Sequence, residues 1–398
     1  MNIMKKTVLV LLASIFCIIL ISGTAMSQLT FRGYLENRFF TTVLNNDFSP
    51  DNLENSLRTG NYNRARIIAE KDVSENSSLT LAVDYFTYHG YLLQFLRDPG
   101  AVSDSSPTTA GERISIDRAY MRLYFKRADV TIGKQLVFWG RSFLWSPFDV
   151  FNRINFLEPR EEKSGVNAVK ITIPTGDLSS IETVYEAGEK IKDSRAGVRM
   201  LFNWQRTDFA GTVIHNATEN FRQDIIGFDF KTDLLILTFS GEFARYSDNP
   251  VVSGAFVPVD YYKFVIGADY SFNFGKMLLL MAEYQRDTDG ASNKNDYDYS
   301  RRIFGRSPFL GKDYLYTMAQ IQYSDHLSFS LSSIVNLNDK GSLLMPSIRY
   351  SIFNDTEMTI GTYIPIADKG TEFNPPDILD PENYSGNAII YVWFRLFI

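Results

Sequence analysis

The chain has 398 residues, a formal charge of −6, 45% hydrophobic, 14% aromatic and 22% charged residues, and one cysteine. The acidic balance disfavours a general nucleic-acid binder, and Cys17 alone supplies neither a disulfide nor a thiolate metal site. Beyond residue 28 no apolar run approaches the roughly 18–20 residues of a membrane-spanning helix. The 31 Phe, 22 Tyr and 4 Trp then make an exported, aromatic-rich β-protein the class to consider.

In chain order, Lys5 and Lys6 precede an apolar run from Thr7 to Ile21, and Ala25-Met26-Ser27 offers small residues before Gln28. That is the pattern of a secretory signal peptide over 1–27. Of 40 basic residues two lie in it, leaving 38 against 46 acidic ones and a net of −8 for 28–398.

From residue 29 on, the dominant signal is alternation with period two. At 262–272, Tyr262, Phe264, Ile266, Ala268, Tyr270 and Phe272 oppose Lys263, Val265, Gly267, Asp269 and Ser271. One face is apolar and the other largely polar, which is a strand and not a helix. Eighteen such segments are expected: 29–44, 61–73, 78–91, 113–126, 128–139, 165–174, 179–187, 195–206, 208–217, 222–231, 233–246, 260–272, 277–287, 313–323, 326–338, 342–352, 355–364 and 386–397. Their connections alternate short and long, the short ones including Glu75 to Ser77, Arg127, Thr232 and Ser324-Asp325, the long ones 92–112, 140–164 and 288–312. That asymmetry points to a transmembrane antiparallel β-barrel of about 18 strands (or 16), all-β, with short periplasmic turns and long extracellular loops. Pro346 within a strand predicts a bulge, and Lys134 among Val130, Ile132, Leu136 and Phe138 predicts a bulge or register shift near Gly133.

If the apolar faces meet lipid, the opposite faces line a lumen. They carry Arg32 and Arg38, Arg64 and Arg66, Arg118 and Arg122, with Arg395 beside the first strand on closure. Farther along, the same faces carry Glu242, Asp269 and Glu283. A basic wall opposite an acidic one filters ions by sign, whereas arginines paired to carboxylates only rigidify a wall.

The segment 133–164 is unusually aromatic for a solvated loop, and Trp139, Trp145, Phe148 and Phe156 are costly to leave in water as one patch. The loop at 140–164 is expected to fold inward as a constriction, with Trp139, Arg141, Trp145, Phe148, Asp149 and Arg153 at the eyelet. The alternative is that its aromatics hold it against the wall. Gly133-Lys134-Gln135 followed by Trp139-Gly140-Arg141, and then Ser146-Pro147-Phe148-Asp149, resembles a family of uncharacterised, porin-like bacterial outer-membrane barrels carrying G-[RK]-Q-x-x-x-W-G. The resemblance implies the same barrel and says little about the solute.

No catalytic or metal pattern appears. His89, His215 and His326 lack metal-ligand spacing, no G-x-S-x-G occurs, and Asp287 to Gly290 does not follow the EF-hand order. The expectation is an outer-membrane channel, not an enzyme, without cofactor, passing small hydrophilic solutes by diffusion with a weak preference for anions. Its surroundings would be outer-membrane lipid, surface glycolipid and, if protomers associate, a second copy. The rival is a closed barrel docking a periplasmic or inner-membrane partner in export or envelope assembly.

Overall fold

The computed structural model describes residues 29–43, 57–90, 111–152, 163–188, 193–218, 221–252, 255–256, 258–299, 301, 307, 309–375 and 387–398. The expected signal peptide and Arg153 lie outside them. Nineteen strands follow in chain order. The first nine are β1 (Thr30–Val43), β2 (Leu57–Ser74), β3 (Ser77–Gly90), β4 (Gly111–Phe125), β5 (Ala128–Gln135), β6 (Val166–Gly176), β7 (Ser179–Glu186), β8 (Arg195–Trp204) and β9 (Thr207–Thr218). Then come β10 (Phe221–Leu234), β11 (Leu237–Val252), β12 (Ala255–Phe256), β13 (Val259–Asn273), β14 (Met277–Asp287) and β15 (Asp313–Ser324). The last are β16 (Leu327–Asn336), β17 (Ser342–Phe353), β18 (Thr356–Ile366) and β19 (Ala388–Phe397).

Each strand pairs antiparallel with its neighbours in sequence, β11 pairs with β13, and β19 returns to β1. β12 extends only the end of β11. The result is a closed barrel of eighteen strands with no free sheet edge. Closure is tight: Gly33 and Ile398 exchange backbone hydrogen bonds at 2.8 and 2.9 Å. Period-two alternation becomes inside and outside. In β1, Glu36, Arg38, Phe40 and Thr42 are buried inward while Phe31, Leu35 and Phe39 are exposed outward. Across β8 to β10 the outward residues include Met200, Phe202, Val213, Ile226 and Phe228, an apolar exterior.

Three local expectations need correction. The turn between β10 and β11 lies at Leu235-Ile236 and not at Thr232, since Leu234 still pairs with Leu237. Leu235 takes φ 57° there, a conformation that an apolar residue rarely signals in sequence. Pro346 makes no bulge. The β17–β18 ladder omits Met345 and Pro346 but resumes in the same register, Leu344 with Ile364 and Ser347 with Gly361. The irregularity expected at Gly133 sits one strand away, where the β3–β4 register shifts at Asp117. Gly133 itself has φ 120°. Lys134 stays in register and donates to the Ile116 carbonyl at 2.6 Å beside that bulge, which gives its ammonium a partner on the apolar side.

Candidate channel site

The inner face divides into two regions. On β1–β4 and β19 arginines and carboxylates interlock. Glu36 receives Arg38 Nε at 2.7 Å and Arg395 Nη2 at 2.5 Å. Asp84 receives Arg64 Nε at 3.0 Å and Arg66 Nε at 2.7 Å. Asp117 receives Arg66 Nη2 at 2.7 Å and lies 3.5 Å from Arg118 Nε. Ring faces complete the packing, with Arg38 4.1 Å from the Trp393 centroid and Arg395 5.1 Å from that of Tyr34.

Among the described residues these five guanidinium groups share three carboxylates. Burial separates their roles. Arg38, Arg64 and Arg66 are buried and hold the wall, whereas the Arg118 and Arg395 side chains are 28% and 22% exposed. Arg122, near the Phe125 end of β4, is exposed, with the Tyr124 hydroxyl at 3.5 Å and the Tyr120 ring centroid at 5.8 Å. Arg32 is exposed and pairs with Glu70 at 2.9 Å. Glu36 is expected on the lumen face from its parity with Arg32 and Arg38; Asp84 and Asp117 were missing from the sequence reading, although Asp84 shares the inward parity of its arginines.

The second region is occupied by the chain after β5. Residues 136–152 turn inside the barrel and dock on β7–β14. Four of its anchors are carboxylates on inward strand positions, and Tyr246 and Arg195 donate to the carbonyls of Pro147 and Val150. Glu182 accepts Trp139 Nε1 at 2.9 Å. Glu242 accepts the N–H groups of Arg141 and Ser142 at 2.5 Å and the Ser146 hydroxyl at 2.7 Å. Glu283 accepts the N–H groups of Phe143, Leu144 and Trp145 at 2.7, 3.1 and 3.0 Å. Asp229 pairs with Arg141 Nε at 2.9 Å and with Arg199 Nη1 at 2.7 Å. A loop has backbone donors with no ladder to join, and buried ones require partners; these carboxylates provide them.

The aromatic content follows the same logic. Trp139, Phe148 and Phe151 are buried with Val184, Ile214, Ile225 and Tyr246, each contributing on the order of 1.5–3 kcal/mol. Trp145 sits among Val265, Phe309, Tyr314 and Tyr316. Gly197 makes the seat for Trp139, since a Cβ there would meet its ring at 2.5 Å. Gly140 has φ 109°, and a Cβ would collide with Ser146. Gln135 Nε2 donates to the carbonyls of Thr131 and Ala168 at 3.0 and 2.9 Å. The residues spelled out by the sequence motif therefore build the exit from β5.

Of the expected eyelet residues, Trp139, Trp145 and Phe148 face the wall, Arg141 is held by Asp229, and Asp149 pairs with Lys163. Burial lowers the Lys163 ammonium to a pKa of about 8. Glu242 and Glu283 are inward but covered by the loop. The half-exposed ring of Phe143 stacks on Tyr316 at 5.6 Å, and Phe138 and Phe143 border a cavity of about 290 Å³ with Arg141, Lys231 and Asp269. Among the described residues no group of histidine, cysteine and carboxylate side chains has metal-binding geometry.

No protein-family model and no curated protein matches the sequence. Solved structures do resemble the fold. OccAB3 of Acinetobacter baumannii superposes with a TM-score of 0.55 at 12% identity, covering 93% of this chain and 99% of that one. OccD3 (OpdP) of Pseudomonas aeruginosa gives 0.55 at 11%, covering 95% and 92%. The outer membrane protein OprD from Pseudomonas aeruginosa gives 0.55 at 9%, covering 93% of each chain. At these identities the likeness shows the barrel fold.

Proposed function

We propose that this chain is a porin-like channel of the bacterial outer membrane that passes small hydrophilic solutes, with a preference for anions. The observation that carries the reading is a closed eighteen-strand barrel, apolar outside and charged inside, with one loop docked in its bore. A barrel of that size encloses an aqueous lumen unless something fills it. The likeness to an outer membrane protein supports the location, and the apolar exterior supports contact with lipid.

Anion preference follows from the charge ledger. On the β10–β14 side Asp229, Glu242 and Glu283 are taken up by the loop and present little free charge to a solute, and Asp269 faces the cavity beside Lys231 and Arg141. On the β1–β4 side the guanidinium groups outnumber the carboxylates paired with them among the described residues, and Arg118, Arg122, Arg395 and Arg32 are the ones that reach the bore. A pore wall of one sign concentrates counter-ions and raises their flux. Phe138 and Phe143 give the constriction an apolar lip. We also propose that G-K-Q-x-x-x-W-G marks the loop-docking device of the barrel family it resembles, because Trp139 and Gly140 serve that docking and Gln135 fixes the end of β5 from which the loop departs.

The test is single-channel recording of the refolded chain in a planar bilayer under a salt gradient. Steady openings with an anion-selective reversal potential support the reading. A correctly folded, heat-modifiable barrel without conductance refutes the channel and favours a closed barrel that docks a partner.

A further inference from the structure

The outward face of β1–β3 interrupts the apolar exterior. Asn37 stands opposite Asn63, and Asn63 opposite Thr87, so the three form one rung across the strands. Asn37 Nδ2 donates to Asn63 Oδ1 at 2.5 Å, and Asn63 Nδ2 donates to Thr87 Oγ1 at 2.9 Å. Asn61 Oδ1 accepts from both amides, at 3.3 and 2.8 Å. Around the rung, Leu35, Phe39, Tyr85 and Phe394 are all exposed outward. No other outward carboxamides are hydrogen-bonded to one another among the described residues; polar outward groups elsewhere include ion pairs such as His215–Asp224 and Arg245–Asp260.

Lipid tails offer a carboxamide neither donor nor acceptor, so polar groups held in the apolar layer seek each other. The rung satisfies itself only in part. Among the described residues Asn37 Oδ1 accepts no hydrogen bond, and the Thr87 hydroxyl accepts one but donates none. An open acceptor and an open donor stand at the two ends of the rung, both uncharged. A charged partner would bring an unpaired charge into the apolar layer. The surface that offers the matching acceptor and donor, uncharged and ringed by apolar side chains, is this same patch turned by half a rotation. Beside the rung a groove of about 420 Å³, bordered by Leu35, Tyr85, Phe394 and Leu396, has room for an apolar side chain of the facing copy.

We propose that the β1–β3 exterior around Asn37, Asn63 and Thr87 is a self-association surface on which a second copy of this chain docks in the membrane plane. The inference rests on the reading of the barrel as membrane-embedded. Its test is disulfide trapping in native envelopes, because residues 28–398 contain no cysteine. Asn63→Cys is compared with Thr183→Cys, which points outward from β7. Asn63→Cys is expected to give a covalent dimer on the order of tenfold above the control. In detergent, Asn37→Leu and Asn63→Leu are each expected to weaken association roughly tenfold by light scattering while leaving a heat-modifiable barrel. Equal trapping at both positions, or a folded wild-type chain that scatters as a monomer at all concentrations, overturns the proposal. If Asn63→Cys does not fold, Thr87→Cys serves in its place. A chain recovered from the soluble fraction refutes the membrane reading instead, which keeps the two failures distinct.

Discussion

Glu283 is the sharpest point at which to break the constriction. Its carboxylate accepts three consecutive backbone N–H groups, from Phe143, Leu144 and Trp145. A hydrogen bond to a charged group contributes about 1.5–3 kcal/mol, so three set an upper bound of roughly 4–9 kcal/mol on what Glu283→Ala removes. The freed N–H groups meet lumen water, which restores much of that. The net loss is therefore nearer the value of one bond, about 1.5–3 kcal/mol, or roughly a 10- to 100-fold rise in the undocked population. Single-channel recording should show a larger mean conductance and frequent excursions above it, with the barrel still heat-modifiable. Glu283→Gln keeps the shape but turns one acceptor oxygen into a donor, and should fall between wild type and alanine. Glu283→Ala channels with wild-type conductance and noise would refute the view that this carboxylate holds the loop.

The two classes of arginine should separate. Arg118→Ala with Arg122→Ala is expected to move the reversal potential toward zero without lowering the unfolding temperature. Arg66→Met should leave selectivity close to wild type but cost about 3–5 kcal/mol in urea unfolding, because it strips a partner from buried Asp84 and Asp117. Gly197→Ala should displace Trp139 at a cost of about 1–3 kcal/mol and raise channel noise, read by tryptophan fluorescence and conductance together. Lys163 loses its proton as pH rises through about 8. The bore then loses one positive charge, so anion selectivity measured from pH 7 to 9 should decline, and Lys163→Gln should abolish that step.

Strands were legible because inside and outside impose a period of two that few other constraints disturb. β14 begins and ends where the pattern does, at Met277 and Asp287. Turns were legible where turn-forming residues stand, as at Glu75-Asn76, or where charge breaks the alternation, as at Arg127 between Phe125 and Ala128. Leu235-Ile236 carries no such sign, and its apolar residues read as strand. The Asp117 bulge was felt at Lys134, whose position looked wrong, but parity does not tell which of two paired strands holds the extra residue. In the site, the aromatic density of 133–164 announced a buried loop. Its anchors could not be read as anchors, because Glu242 and Glu283 bind backbone N–H groups, and every residue has one. The same blindness made an acidic wall of residues that serve as fasteners. On the arginine side, the inward parity of Glu36 and Asp84 was available in the sequence and is what turns a row of cations into an interlocked belt.

The loop's fasteners also dictate an order of assembly. The loop's hydrogen bonds to Glu242 and Glu283 join residues about a hundred positions apart or more, from 96 for Ser146 to 140 for Phe143. Arg395 reaches Glu36 across 359. A nascent or refolding chain cannot dock residues 136–152 until β11 and β14 are laid beside their neighbours, so the bore is shaped after most of its wall exists. Contacts so remote in sequence form slowly. An intermediate with paired strands and an unfastened loop should accordingly precede the finished barrel, wider in bore than the molecule it becomes.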